Sequence, residues 1–239
     1  MRAPATILPV TTEALGFARN GIDILRDVAL TIHAGPPTLI IGPNGAGKSV
    51  LLRLLHGLLT PSAGRVVWSG GADPRQHQAM VFQRPVLLRR SVLANAEYPL
   101  ALAGVARAAR TARAGAALAL VGLAPMAGRP ARRLSGGEQQ RLALARAAAL
   151  NPDILFLDEP CASLDPAATR AVEEIVTTLS ARGTKIVMTT HDLAQARRLA
   201  GDVVVLHRGH VLEHTPASAF FAGPSNPQAA AFLRGELVW

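Results

Sequence analysis

The sequence predicts an α/β fold with a mostly parallel sheet, and three observations carry that prediction. Short apolar or alternating runs recur between helix-like stretches along the 239 residues. A glycine-rich segment, residues 42–47, lies between one such run and a helix. A long stretch rich in alanine, leucine and arginine then interrupts the alternation, as an inserted helical subdomain does.

Taken in order, residues 22–32 alternate around Ile22, Ile24, Val28, Leu30 and Ile32, with Asp27 and Thr31 on the other face, which predicts a strand. Thr38–Ile41 is a short β-branched run suited to a buried strand. A helix is expected from about Lys48 to Leu58, with Leu51, Leu52, Leu54, Leu55 and Leu58 on its apolar face. Pro61-Ser62-Ala63-Gly64 reads as a turn, and Val66–Trp68 and Met80–Phe82 as strands. Ser91 to Val121 is helical in composition, and a further helix runs from Ser135 to near Leu150, before Asn151-Pro152. Ile154–Leu157 is an apolar central strand, residues 167–181 a helix, Ile186–Thr190 a strand, residues 193–200 a helix and Val203–Leu206 a strand. No internal repeat or low-complexity linker separates them. The expected organisation is one domain over residues 1–239, with the helical subdomain at about 85–150 and a tail at 215–239.

Composition excludes several classes. Apolar residues make up 49% and charged residues 17%, a globular balance. The lone Cys161 can form neither an internal disulfide nor a zinc site, which points to a reducing compartment. The net charge of +9 fits attraction to anions or to an anionic membrane surface, but it also fits genomic bias, since Lys48 and Lys185 are the only lysines. The arginines are not interleaved with aromatics, so nucleic acid is not an expected partner. The least charged stretch, between Arg113 and Arg129, is too short to span a bilayer and is broken by Gly115, Gly122 and Pro125. Ala5–Val10 with Pro4, Pro9 and Glu13 makes a poor signal peptide. Any membrane role is therefore expected from the cytoplasm, through a separate membrane partner.

Gly42-Pro43-Asn44-Gly45-Ala46-Gly47-Lys48-Ser49 fits G-x-x-x-x-G-K-[ST] in the strand-loop-helix context that gives the pattern meaning. Its glycines let several N–H groups converge on one anion, and the helix start adds a positive dipole end. Lys48 then suits the β- and γ-phosphates and Ser49 a Mg²⁺ ion. Asp158-Glu159 ends an apolar strand. Asp158 suits a Mg²⁺ contact, direct or through water, and Glu159 can orient or deprotonate an attacking water; alternatively both acids cap the next turn. Ser135-Gly136-Gly137-Glu138 is a capping box whose two glycines also permit close approach of a second phosphate. Gln83 follows a strand and can reach Mg²⁺ or the water, or is simply polar. His191 follows another strand at the phosphate edge, or is structural. Asp192 reads as an N-cap, Asp165-Pro166 as a helix start, and Phe17 as an adenine contact or as core.

In this order the features resemble the full set of an ATP-binding cassette protein, and the resemblance covers about residues 10–215. It is carried most specifically by Leu134-Ser135-Gly136-Gly137-Glu138-Gln139-Gln140-Arg141, which is similar to that family's signature sequence. The resemblance implies a P-loop NTPase with a RecA-like, mostly parallel sheet core, an N-terminal antiparallel β-subdomain and the inserted α-helical subdomain. It implies ATP and Mg²⁺ as ligands and a head-to-tail homodimer. Each ATP would lie between Gly42–Ser49 of one copy and Ser135–Glu138 of the other. It further implies that Glu159 polarises the water, that His191 contacts the γ-phosphate and that Asp165 links the two sites. The partners implied are integral-membrane permease subunits, docking on the segment from Gln83 to about Leu102, and indirectly a solute-binding protein. The implied location is the cytoplasmic face of the inner (plasma) membrane, as a peripheral subunit. Val50 and Phe17 stand where the family more often has threonine and tyrosine or tryptophan.

Two segments sharpen the resemblance toward oxyanion importers. Phe220-Phe221, Pro224, Pro227 and Phe232–Leu237 look like the C-termini of such ATPases, and residues 81–92 look most like the tungstate type, with phosphate and molybdate types next. Other ATPases of the family remain open: an amino-acid importer, an exporter, or a cell-division or lipoprotein-release complex. A chromosome or repair clamp would need a long coiled coil or a cysteine-rich module between Gln83 and Leu134, and the chain has room for neither. A nucleotide kinase or GTPase would lack the signature.

Overall fold

The computed structural model describes residues 7–70 and 73–236. The N-terminal residues through Thr6 and the last tail residue of the oxyanion-like pattern, Leu237, lie outside them. In chain order the elements are β1 (Val10–Arg19), β2 (Ile22–Ile32), β3 (Thr38–Ile41), α1 (Lys48–Leu55), β4 (Ala63–Trp68), β5 (Gln78–Val81), α2 (Val92–Leu102), α3 (Arg107–Leu120) and α4 (Gly136–Ala148). They continue with β6 (Ile154–Asp158), α5 (Pro166–Ala181), β7 (Lys185–Thr190), α6 (Leu193–Leu199), β8 (Asp202–His207), β9 (His210–Pro216), α7 (Ala217–Ala222) and α8 (Pro227–Leu233). The chain divides into two compact units, Met1–Arg75 with Lys185–Trp239, and Gln76–Thr184.

The first unit holds an antiparallel sheet, β2-β1-β4, and a layer in which β3 runs parallel to both β7 and β8 while β9 returns antiparallel on β8. β1 is an element the sequence reading passed over. Its turn to β2 is Asn20-Gly21, with φ of 53° and 75°, the pair that the tight twisted hairpin demands. Alternation in β1 is spoiled by bulges, one of them at Ala14 with φ of 45°, so period-2 reasoning misses it. β3 is buried at all four residues and β7 at all six, as strands covered on both faces must be.

Several boundaries differ from expectation, each for a local reason. α1 stops at Leu55, because Gly57 takes φ of 81° and the Leu58 N–H returns to the Arg53 carbonyl at 2.8 Å. Leu58 is therefore 49% exposed and off the apolar face. The Pro61–Gly64 segment is a turn only in its first half, since β4 starts at Ala63. β5 ends at Val81, which leaves Phe82 outside the strand and 40% exposed.

The second unit pairs β5 with β6 in parallel and packs α4 on β5, with α2, α3 and α5 against α4. The Ser91–Val121 stretch is two helices, broken at Gly104 (φ 74°), where the Val105 N–H closes on the Leu100 carbonyl at 3.0 Å. Arginines finish the helix ends. Arg141 donates to the Val121 carbonyl just beyond α3, and Arg113 to the Ala149 carbonyl just beyond α4, each at 2.9 Å. Asn95, wholly buried in α2, accepts from the Leu88 N–H and donates to the Leu88 and Ser91 carbonyls, so it pins the segment leading into its own helix.

The starts of β3, β7 and β8 carry a polar cluster. Thr38 donates to Asp202 at 2.8 Å, His214 donates to the other Asp202 oxygen, and the Lys185 ammonium lies 3.8 Å away while also donating to the Pro36 carbonyl. Burial works to raise the Asp202 pKa, but the His214 and Thr38 hydrogen bonds and the Lys185 charge outweigh it, so the carboxyl sits below its ordinary value. Burial also holds the Lys185 ammonium below its usual range. A carboxyl lowered in the folded state stabilises the fold above its unfolded pKa, and that contribution is lost as pH falls through the folded one. Asp202→Asn is therefore expected to lower the urea midpoint at neutral pH and to flatten its decline below about pH 4. A pH series of urea melts on both proteins reads this directly; parallel acid limbs would refute it.

Candidate functional site

The phosphate loop is held by its glycines in the literal sense. β3 ends at Ile41 and the loop runs from Gly42 into α1, whose N-cap, Gly47, has φ of 104°. A Cβ on Gly42 would fall 2.0 Å from the Leu206 carbonyl oxygen, and one on Gly47 would fall 2.8 Å from a Leu25 methyl group. The loop is thus seated against β8 on one side and β2 on the other. Gly209, in the β8–β9 turn, donates its N–H to the Ala46 carbonyl at 3.1 Å and accepts from the Arg26 N–H at 2.9 Å. Its own Cβ would lie 2.5 Å from the Ile24 carbonyl oxygen. Gly209 is a loop-positioning residue that the sequence reading missed. The only signal was its place in the turn after Val203–Leu206, some 160 residues from the loop it holds.

Lys48 is 5% exposed, and its ammonium donates to the Gly42 and Pro43 carbonyls at 2.9 and 3.1 Å, folding back over the loop. Asn44 and Gly45 are exposed at the loop tip, Ala46 is buried, and Ser49 is half-buried at the start of α1. His191 follows Thr190, which is paired with Ile41, so His191 is exposed at the sheet end from which the loop departs. Asp192 accepts from the Ala194 and Gln195 N–H groups, the N-cap expected of it. Phe17 is half-buried on β1 opposite Leu25, the residue beneath Gly47. These residues all belong to the first unit.

The second unit carries the acids and the signature. Asp158 closes β6 at 2% exposure. Glu159 then takes φ of 44°, a left-handed conformation costly for a side-chain-bearing residue and concentrated at functional sites. Val81 pairs with Leu157, so Phe82-Gln83 and Asp158-Glu159 emerge from the same end of the β5–β6 pair, with Gln83 exposed. Asp165 is exposed and caps α5, accepting from the Ala168 N–H at 2.8 Å, with Pro166 at the first helical position.

The capping box is complete. The Ser135 hydroxyl accepts from the Glu138 N–H at 3.3 Å, and the Glu138 carboxylate accepts from the Ser135 N–H at 2.7 Å. That backbone bond holds the Glu138 carboxyl below its ordinary pKa. The two glycines divide in role. A Cβ on Gly137 would meet the Ala168 Cβ at 2.7 Å, so helix packing against α5 by itself accounts for Gly137. Gly136 has open space around it and is exposed, so packing gives no reason for it. Packing therefore gives a reason for Gly137 and none for Gly136.

A family model described as ABC transporter matches residues 25–162, more than half of the chain. The chain belongs to the ABC transporter family. It is an ATPase subunit of that family, and its reaction is ATP hydrolysis. A phosphate import ATP-binding protein from Natronomonas pharaonis is 38% identical over 97% of this chain and 88% of that protein. A tungstate uptake system ATP-binding protein from Peptoclostridium acidaminophilum is 37% identical over 90% of this chain and 100% of its own length. Relatives named for methionine and for nickel import match at similar identity. Among solved structures, cbiO1 from Clostridium perfringens, part of the ABC transporter complex cbiONQ, superposes with a TM-score of 0.81 at 27% identity, covering 91% of each chain. The α/β class, with an antiparallel sheet and a mostly parallel one, is that of the ABC ATPases. Among the described residues, no helix is long and apolar enough to cross a membrane.

Lys48 is the loop's one cation and is already turned toward the loop's own carbonyls, so removing it leaves the backbone cradle without its counter-charge. Lys48→Ala is expected to cut ATP hydrolysis by about two orders of magnitude or more while the far-UV circular dichroism is unchanged. Turnover near the native rate would remove the loop from the reaction.

Proposed function

We propose that this chain drives an importer, that two copies pair head to tail around two ATP molecules, and that the solute is tungstate or a related oxyanion. The observation that carries the pairing is the start of α4. Ser135 and Glu138 satisfy each other, Gly136 faces open solvent, and among the described residues the Gly136 and Gly137 N–H groups have no acceptor. A capped, solvent-facing helix start with outward N–H groups is an anion site in search of an anion. A second copy's ATP supplies one.

In this reading Gly42–Ser49 cradles the triphosphate and Lys48 leaves its carbonyls for the β- and γ-phosphates. Ser135–Glu138 of the other copy closes over the γ-phosphate, and Phe17 offers a face to adenine. Ser49, Gln83 and Asp158 would hold Mg²⁺. One buried carboxylate with a hydroxyl and an amide oxygen fits an ion that keeps several places for water and phosphate oxygens. When bound, Mg²⁺ neutralises charge on the β- and γ-phosphate oxygens. Glu159 orients the attacking water and takes its proton, the γ-phosphoryl group passes to that water, and ADP and phosphate leave. His191 contacts the γ-phosphate, and Asp165 links one site to its symmetry mate. With Glu159→Gln the amide can still hold the water but cannot accept its proton, so a dimer should persist with ATP and Mg²⁺. Light scattering should show twice the monomer mass under those conditions, and a persistent monomer would sink the pairing.

The membrane partner is an integral-membrane permease fed by a solute-binding protein, which makes this chain a peripheral subunit at the cytoplasmic face of the inner membrane. The segment from Gln83 to Leu102 leaves Val86 and Leu102 80% and 72% exposed, apolar surface suited to a permease. Tungstate is favoured by residues 81–92 and the tail; phosphate, methionine and nickel are the competing solutes, from the relatives matched above. Cellular uptake decides among them. Glu159→Gln is expected to abolish high-affinity tungstate uptake, with molybdate and phosphate as competitors. Unchanged uptake of all three oxyanions would leave the ATPase standing and discard the oxyanion assignment.

A further inference from the structure

Four arginines of the second unit have partners within it. Arg110, Arg113, Arg141 and Arg146 each donate to a backbone carbonyl, at Val105, Ala149, Val121 and Val86 respectively. Arg89, Arg90 and Arg132 do not. All three are exposed, and among the described residues none of their guanidinium groups has a carboxylate or carbonyl partner. They nevertheless converge, lining one concavity of about 320 Å³ together with Ser91, Gly128 and Pro130. No acidic residue lines it. Three like charges around one hollow repel each other unless an anion sits among them.

The hollow is also rigidly framed. Ser91 and Pro130 form a bridge, the Val92 N–H donates to the Arg129 carbonyl at 2.9 Å, and the Ala131 N–H donates to the Arg90 carbonyl at 3.0 Å. Buried Asn95 ties the same segment from beneath through the Arg90 and Ser91 carbonyls. Ser91 is the N-cap of the 11-residue α2 and accepts from the Ala94 N–H, which leaves its hydroxyl proton to donate. Donors fixed in advance lose little freedom on binding.

We propose that Arg89, Arg90, Arg132 and Ser91 form a binding site for a phosphate group, separate from the nucleotide loop. A carboxylate has two oxygens and is satisfied by a single guanidinium fork, whereas a tetrahedral dianion offers enough oxygens to engage three. The phosphate comes either from an anionic lipid headgroup or from the free ion, and these two sources are separable.

Gly128 supplies the cleanest variant. It lines the hollow, its φ is not in the left-handed range, and a Cβ there meets nothing within 4 Å. Gly128→Glu therefore sets a tethered carboxylate among the arginines without disturbing the fold. The second variant is Arg132→Gln. The full-length protein and both variants are floated with phosphatidylcholine vesicles with and without phosphatidic acid, and separately titrated with inorganic phosphate by calorimetry. ATP hydrolysis should stay within about twofold of native in both variants, because the nucleotide loop is untouched. Retention on phosphatidic acid vesicles that falls about tenfold or more in both variants assigns the site to a headgroup. A phosphate-binding event present in the native protein and lost in both variants, without vesicle retention, assigns it to the free ion. Native and variants alike in both assays would overturn the site.

Discussion

Backbone crowding around the phosphate loop is the constraint on which the rest of the first unit depends. Gly42 meets the Leu206 carbonyl, Gly47 meets Leu25, and Gly209 sits between the Ala46 carbonyl and Ile24. Two strands and a hairpin turn are thereby locked to one loop with no room for a methyl group at any of the three points. The loop's shape is set by the packing of β2, β8 and the β8–β9 turn, before any nucleotide arrives. Preorganised N–H groups are the currency of phosphoryl transfer, where positioning and electrostatics supply nearly all of the catalysis.

The second unit solves a different problem. Its acids and its signature must be presented, whereas the loop must be gripped. Asp158 gains position from a strand buried at all five residues, and Glu159 from a left-handed turn immediately after it. The signature helix gains its start from a reciprocal cap and its seat from Gly137 against Ala168. Gly136 is the residue that this packing does not use, which is why the reading of a shared ATP rests on it.

Arginine carries nearly all the positive charge of this protein, and location separates its uses. Some guanidinium groups close helix ends by capturing orphan carbonyls, a structural task that planar, multiply donating groups perform well. Others pair with acids at the surface, as Arg65 does with Glu13, where solvent leaves little net gain. Arg89, Arg90 and Arg132 do neither. The +9 charge thus reflects a compositional habit for most of the chain, and a concentrated field at one place in it.

The sequence by itself determined the elements whose signals are local. The phosphate loop, the capping box at Ser135, the N-caps at Asp165 and Asp192 and the apolar strands β3, β6 and β7 all follow from residue type and short spacing, because hydrogen bonds within a turn or burial of a short run define them. It also carried the order of motifs that marks the ABC family. Tertiary structure decided what depends on distant neighbours. Gly209 matters because of Ala46, Gly137 because of Ala168, and Asn95 because it fills a buried hub beneath Leu88 and Ser91. β1 escaped notice because its bulges break the alternation that would have revealed it, even though Asn20-Gly21 announced the hairpin. The arginine hollow was likewise invisible, since its members are scattered over some 40 residues and become a cluster only when the Ser91–Pro130 bridge draws the two segments together. A sequence states which groups are present; which of them share a space is decided by packing.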